Sequence, residues 1–268
     1  MKPTFNIQTI FDQAASDYEE TRPDYPKELI QDILTISNIP RNGLILEIGC
    51  GTGQATLPFA EQGYSMTCLD IGKELLARAA QKCISYPKVR FELSSFENWN
   101  AAEAVYDLVI SATAFHWIPP EIGYPKVTHA LKDTGYLALF WNHHPTPYTG
   151  FFQAVQPIYQ DIVPKWEPVS GNQSLEGRIE LTRVGIAKTN LFETATIHQY
   201  LWERDYNTEA YLRLLNTYSD HRQLNESRKL RLFEKIGELI EKQYGGMVTR
   251  PYLTVLYVAK KRQDSCER

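Results

Sequence analysis

The sequence predicts an α/β protein built on a doubly wound, mainly parallel sheet, and three observations carry that expectation. Short apolar runs closed by glycine or polar residues recur along the chain, as at Leu44–Ile48 and Tyr106–Ala112. Such runs fit strands buried on both faces. Helical patterns lie between them, and alternating strands and helices imply right-handed crossovers. At the end of the first run, Gly49, Gly51 and Gly53 alternate in L-I-L-E-I-G-C-G-T-G-Q. Without a Cβ the chain there can take positive φ and let a ligand approach the backbone, ahead of a helix start with unpaired N–H groups.

The elements follow in order. Leu29, Ile30, Ile33 and Leu34 mark an amphipathic helix before the first strand. Ser65 to Leu69 reads as the second strand, with Asp70 directly after it. In Lys73 to Cys83 the apolar positions Leu75, Leu76, Ala79, Ala80 and Cys83 form one helix face. Val89–Leu93, Tyr106–Ala112 and Gly135–Trp141 read as strands three, four and five. From Asn142 to Asn190 the chain is rich in proline, glycine and aromatics, and reads as loop with a short helix around Phe151 to Val163. Phe192 to Glu203 is the sixth strand. Asn207 to Tyr244 is an insertion of at least two helices, the second with an apolar stripe at Leu230, Phe233, Ile236 and Ile240 and ended by Gly245-Gly246. Thr249 to Ala259 is a seventh strand that closes the sheet.

The glycine spacing narrows the ligand. A dinucleotide fingerprint needs a small residue where this chain has Gln54. The pattern E-x-G-x-G-x-G, with Glu47 two residues before Gly49, instead resembles the first motif of class I S-adenosylmethionine-dependent methyltransferases. Asp70 stands where that family places an acidic residue. The chain is most similar to the small-molecule group that includes trans-aconitate and ubiquinone-pathway methyltransferases. The segment F-D-Q-A-A-S-D-Y-E-E-T-R-P-D-Y-P, Phe11 to Pro26, closely resembles the N-terminal segment of one subgroup, where it folds over the cofactor.

The resemblance implies a Rossmann-like sheet of seven strands with the last antiparallel, and a helical cap. It implies one methyltransferase domain over 1–268: a lid at 1–26, a cofactor-binding core at 27–141, cap insertions at 142–190 and 205–247, and a closing strand at 249–261. The cofactor is then S-adenosylmethionine, leaving as S-adenosylhomocysteine. Glu47, Gly49, Gly51, Gly53, Gln54 and Ser111 would belong to its site, with Asp70 accepting from both ribose hydroxyls and Ile71 touching the adenine. A charge-assisted bond to such a carboxylate contributes about 1.5–3 kcal/mol. The other reading of Asp70 is a helix N-cap. Ser95 falls where many relatives carry the aspartate that bonds the adenine amino group, so Ser95 or the backbone at Phe96 would substitute. Arg22 would pair with the methionine carboxylate, and Tyr18 would line the lid; a solvated surface arm is the alternative for this segment.

Methyl transfer from a sulfonium is an in-line displacement, so positioning and exclusion of water dominate and a general base is optional. His116, in S-A-T-A-F-H-W-I, is the candidate base, or a residue that shapes the pocket; relatives carry a similar A-x-H-W segment. Trp117, Trp141 and Trp166 are candidates for a substrate wall, though core packing accounts for each as well. A-F-H-W is unlike the N-P-P-Y-type motif of enzymes that methylate nucleic-acid bases. The net charge of −4 also argues against a nucleic-acid partner. The basic stretch Arg222, Arg228, Lys229, Arg231 and Lys235 is interrupted by Glu226 and Glu234 and reads as a solvated helix face.

His143 and His144 lack a third ligand nearby, so no metal is expected. Cysteines 50, 68, 83 and 266 show no metal or redox spacing, which suits reduced thiols in a cytoplasmic protein without membrane segments. The expected partner is a small organic molecule methylated on oxygen, carbon or nitrogen, with a carboxylate among the options. Monomer and homodimer stay open. A sensor or subunit that binds the cofactor without using it is the alternative, and an RNA methyltransferase is disfavoured by charge.

Overall fold

The computed structural model describes residues 15–164, 166 and 174–263. Residues 1–14 of the expected lid, and Cys266, lie outside the described residues. Seven strands form one sheet: β1 (Leu44–Ile48), β2 (Ser65–Asp70), β3 (Val89–Leu93), β4 (Tyr106–Ala112), β5 (Leu131–His143), β6 (Thr196–Asn207) and β7 (Met247–Lys260). Their order is β3-β2-β1-β4-β5-β7-β6. The first five are parallel to their neighbours, with Glu47 opposite both Cys68 and Ile110 and Ala112 opposite Phe140. The last strands run antiparallel, and Phe192 bridges Lys261 in that sense.

The helices are α1 (Ala15–Thr21), α2 (Lys27–Ser37), α3 (Thr56–Glu61), α4 (Lys73–Lys82), α5 (Pro120–Ala130), α6 (Phe151–Ala154), α7 (Gln156–Ile162), α8 (Leu175–Lys188), α9 (Thr208–Asn216), α10 (Ser219–Arg222) and α11 (Glu226–Tyr244). Asn207 and Asn225 cap α9 and α11, their side chains accepting from Ala210 and Arg228 N–H. Each cap contributes about 1 kcal/mol. Gly245, at φ 61°, ends α11 with the left-handed residue its position calls for.

Several bounds depart from expectation: β2 takes in Asp70, β7 starts at Met247, and β5, β6 and β7 run on to His143, Asn207 and Lys260. β5 begins at Leu131, not Gly135, because it already pairs with Tyr106 there. β6 begins at Thr196, Phe192 making only its single bridge. The α11 stripe is Leu232, Ile236 and Ile240, while Leu230 is 66% exposed. The 14-residue α8 lies where loop was expected.

Two compact units divide the chain. The first takes described residues up to Pro23, His143–Arg178 and Leu201–Leu253; the second takes Asp24–Asn142, Ile179–Tyr200 and Thr254 onward. The second unit's core joins Leu29 and Ile33 of α2 to Ile45, Met66, Leu108, Phe140 and Leu256 of the sheet. The first unit's core is more aromatic, with Phe151, Phe152, Tyr206, Tyr211 and Tyr252 around Leu214, Leu232 and Ile236. Among the described residues, no helix is long and apolar enough to cross a membrane.

Candidate active site

β1 ends in the glycine turn, where Gly49, Gly51 and Gly53 hold φ of 71°, 56° and 82°. Gly49 N–H and Cys50 N–H both donate to Leu69 O, at 2.8 and 3.0 Å, which fastens the turn to the end of β2. A Cβ on Gly49 would come within 2.4 Å of the Ala114 Cβ, so both torsion and space require glycine there.

Asp70 closes β2 against this turn. Gly51 N–H donates to Asp70 Oδ2 and Gly72 N–H to Oδ1, each at 2.8 Å. Gly72, not Asp70, is the N-cap of α4. The carboxylate therefore bonds the amide of the capping residue and, across the strands, the centre of the glycine turn. Ile71, next along, is half-buried.

Glu47 is fully buried one residue before the end of β1. Its Oε2 accepts from Thr56 Oγ1 at 2.6 Å and from Cys68 Sγ at 3.7 Å, while Oε1 is buried with no partner among the described residues. Burial pushes its pKa up to about 8; the two side-chain donors oppose this, and the Asp70 charge adds to it. The side chain is mostly protonated at neutral pH. Gln54 Oε1 accepts from Thr52 Oγ1 at 2.9 Å, and its Nε2 is likewise buried without a partner. A bare glycine turn carrying two orphaned buried polar atoms and a braced carboxylate fits the polar, sugar-bearing cofactor the motif implies.

Ser111 is sealed in β4 and donates through Oγ to Ile48 O at 2.8 Å, bracing β1 where the turn begins. Ser94 N–H donates to Asp70 O at 3.0 Å. Ser95 is occupied locally: its Oγ accepts from Asn98 N–H at 3.3 Å and its carbonyl from Ser94 Oγ at 3.0 Å. The Phe96 ring is buried, stacked on Trp99 at 6.3 Å, with Lys126 Nζ 5.5 Å from its centre.

His116 sits in a 3-10 turn, Phe115–Trp117, just beyond β4. Trp141 Nε1–H, at the far end of β5, donates to His116 Nδ1 at 3.2 Å. Burial of its surroundings lowers the His116 pKa, so the ring is neutral at physiological pH. With Nδ1 accepting, the single ring proton lies on Nε2. Trp117 stacks obliquely on His116 at 4.9 Å and is 47% exposed, whereas Trp141 is half-buried with its edge against Tyr257.

Two residues that the sequence reading passes over shape this edge. Thr113 holds φ of 56°, a strained value for a β-branched side chain, and its Oγ1 meets Tyr25 OH at 2.9 Å. Tyr25 packs edge-on against Phe140 at 4.8 Å. Nothing in S-A-T-A announces a left-handed threonine; the only signal was that the segment follows a strand at the carboxyl edge, where ligands bind in such sheets.

Tyr18 and Arg22 lie in the first unit. Arg22 Nε and Nη2 donate to Thr217 Oγ1 and O, both at 2.9 Å, and its guanidinium lies 4.6 Å from the Tyr18 ring and 4.5 Å from the Tyr218 ring. Arg22 is thus ordered by α1 and the α9–α10 junction. Trp166, in the same unit, stacks on Tyr159 at 6.0 Å.

The β3-β2-β1-β4-β5-β7-β6 sheet with antiparallel last strands is the Rossmann-like fold that solved methyltransferases share. Residues 45–135, about a third of the chain, match the family described as a methyltransferase domain, and that match with the relatives below marks the chain as a methyltransferase. It is 26% identical over 272 residues to the uncharacterized methyltransferase C25B8.09 of Schizosaccharomyces pombe, covering 95% of this chain and 98% of that one. It is 29% identical over 124 residues to trans-aconitate 2-methyltransferase of Variovorax paradoxus, covering 45% of this chain and 44% of that one. Its fold is shared with a Haemonchus contortus phosphoethanolamine N-methyltransferase 2, solved with phosphomonomethylethanolamine and S-adenosylhomocysteine. There the TM-score is 0.54 at 14% identity, over 98% of this chain and 62% of that one.

Proposed function

We propose that the chain transfers the methyl group of S-adenosylmethionine to a small organic molecule. The observation that carries this reading is the clasp of Asp70 on Gly51 and Gly72, which fixes a carboxylate beside a turn stripped of side chains. A rigid two-oxygen acceptor at that point suits the paired hydroxyls of a ribose. Glu47, Gln54 and the glycines would line the same turn, with Ile71 and the Phe96 backbone beside the adenine. The group so held supplies a methyl on a positively charged sulfur, open to direct displacement.

For the acceptor, the chain's own contribution is placement. His116 presents Nε2–H while Trp141 occupies Nδ1, so the ring is set up to donate to an acceptor's oxygen rather than to take its proton. Smallness of the acceptor is supported by charge: Arg231 is paired with Asp161 and Lys229 with Glu226, each at 2.7 Å, leaving no continuous basic face on α11. The Variovorax relative acts, by its name, on a small organic acid. Buried free thiols at Cys50, Cys68 and Cys83 suit a reducing compartment, and we place the activity in the cytoplasm.

Calorimetric titration with S-adenosylmethionine and with NAD tests the cofactor: binding of the former alone is expected, and the reverse would overturn the reading. Incubation with isotopically labelled donor and a panel of small acids, phenols and amines tests transfer. Tight cofactor binding with no labelled product from any of them would point instead to a sensor.

A further inference from the structure

The first unit contains a cavity of about 540 Å³ with aromatic walls, among them Tyr148, Phe152, Trp166, Tyr211 and Tyr218. That size is typical of small-molecule sites. Among its polar lining residues are Arg250 and His144, which the function above does not use.

Arg250 projects from β7, its guanidinium carbon 5.5, 5.8 and 5.2 Å from the ring centres of Phe152, Tyr218 and Tyr252. The residue is half-buried, but its Nε is sealed from solvent and has no hydrogen-bond partner among the described residues. Burial works against its charge, and the groups facing it are the uncharged phenols of Tyr218, Tyr252, Tyr211 and Tyr206, Tyr211 hydrogen-bonding to it, rather than any carboxylate. The one acid among the described lining residues, Asp220, is engaged elsewhere: its Oδ1 accepts from His221 N–H at 2.7 Å and faces His221 Nδ1 at 2.8 Å. A guanidinium so placed calls for an anion.

His144 supplies the complement. Its Nδ1 lies 2.8 Å from Pro145 O, and a carbonyl can only accept, so the proton is on Nδ1. Burial, and then the Arg250 charge, push its pKa down to about 4, leaving the ring neutral. Its Nε2 is then a buried lone pair without a partner among the described residues, on a ring packed 4.2 Å from Phe152.

We propose that this cavity binds a small hydroxy acid with a flat aromatic or unsaturated body, its carboxylate on Arg250 and its hydroxyl donating to His144 Nε2. Naming that acid as the methyl acceptor rests on the function proposed above; its binding does not.

The test is calorimetric titration of the full chain, without methyl donor, with 4-hydroxybenzoate, 4-hydroxyphenylacetate and 4-hydroxycinnamate and with the amide of each. At least one acid is expected to bind tenfold or more tighter than its amide. Arg250→Gln is expected to erase that preference, and His144→Phe to weaken the hydroxy acid but not its counterpart lacking the hydroxyl. Equal affinity for acids and amides, or no binding by any acid, would overturn the proposal. Should Arg250→Gln fail to fold, the acid and amide comparison on the unaltered protein decides. An acid that binds but takes no label from the donor removes the acceptor reading and leaves the anion site. Cofactor binding and labelled products without any preference for acids do the opposite.

Discussion

Asp70 and Gly51, nineteen residues apart, are joined by a 2.8 Å hydrogen bond from the Gly51 amide to the Asp70 carboxylate. The carboxylate thus shapes the turn beside which the ribose is proposed to bind. Asp70→Ala removes this bond and the one from Gly72 together. Bonds to a charged group contribute about 1.5–3 kcal/mol each. S-adenosylmethionine affinity is therefore expected to fall at least tenfold by calorimetry, with a lower Tm even without ligand. Unchanged affinity would remove the ribose role.

Glu47 sets a pH dependence of stability. Its pKa is about 8 when folded and near 4.5 when unfolded. Between these values the native state holds a proton that the unfolded chain has released. The stability linked to this proton is fully present below about pH 4.5 and is lost as pH rises through about 8. Glu47→Gln removes the titration and keeps an acceptor for Thr56. Thermal scans should show the unaltered protein losing Tm from pH 5 to pH 9 more steeply than the variant; parallel curves would mean that Glu47 is already ionised.

These two residues mark how far the sequence could be read. β3 and β4 match at both ends because each is a short run bounded by turn chemistry. In α11, Leu230 and Leu232 serve equally well as the start of a stripe, and only packing into the core cluster that also holds Leu214 and Tyr211 selects Leu232. α8 was illegible because Leu181 and Val184 fall away from the face that Leu175 and Ile186 share, and Gly177 and Gly185 resemble breakers; Leu181 is 53% exposed. At the site, the glycine turn and Asp70 were legible as a local pattern. The Trp141–His116 bond was not, since it depends on β4 pairing β5 with Ala112 opposite Phe140.

That bond carries its own prediction. If His116 acts as a donor through Nε2, His116→Gln keeps a side-chain N–H and should retain turnover within about tenfold, whereas loss of a general base costs 100-fold or more. Cofactor affinity should not move in either His116→Gln or His116→Ala. Trp141→Phe frees Nδ1, and nitrogen NMR should then report a mixture of tautomers where the unaltered protein shows one. A 100-fold loss in His116→Gln would restore the base.

Gly49 and Ala114 offer a way to separate space from torsion in the turn. A methyl on Gly49 meets the Ala114 Cβ at 2.4 Å, and φ is 71°. The left-handed torsion costs a non-glycine residue about 1–2 kcal/mol, and forced overpacking adds about 1–3 kcal/mol. Gly49→Ala should therefore lower the unfolding free energy by about 2–5 kcal/mol in urea titrations. Ala114→Gly removes the atom that the new methyl strikes. In the double variant the packing part should return, while the torsional part persists because no partner's side chain can relieve it. Strict additivity of the two single changes would mean that the turn moves away from Ala114 freely, and that the closeness of β1 to the loop after β4 is not what holds it in shape.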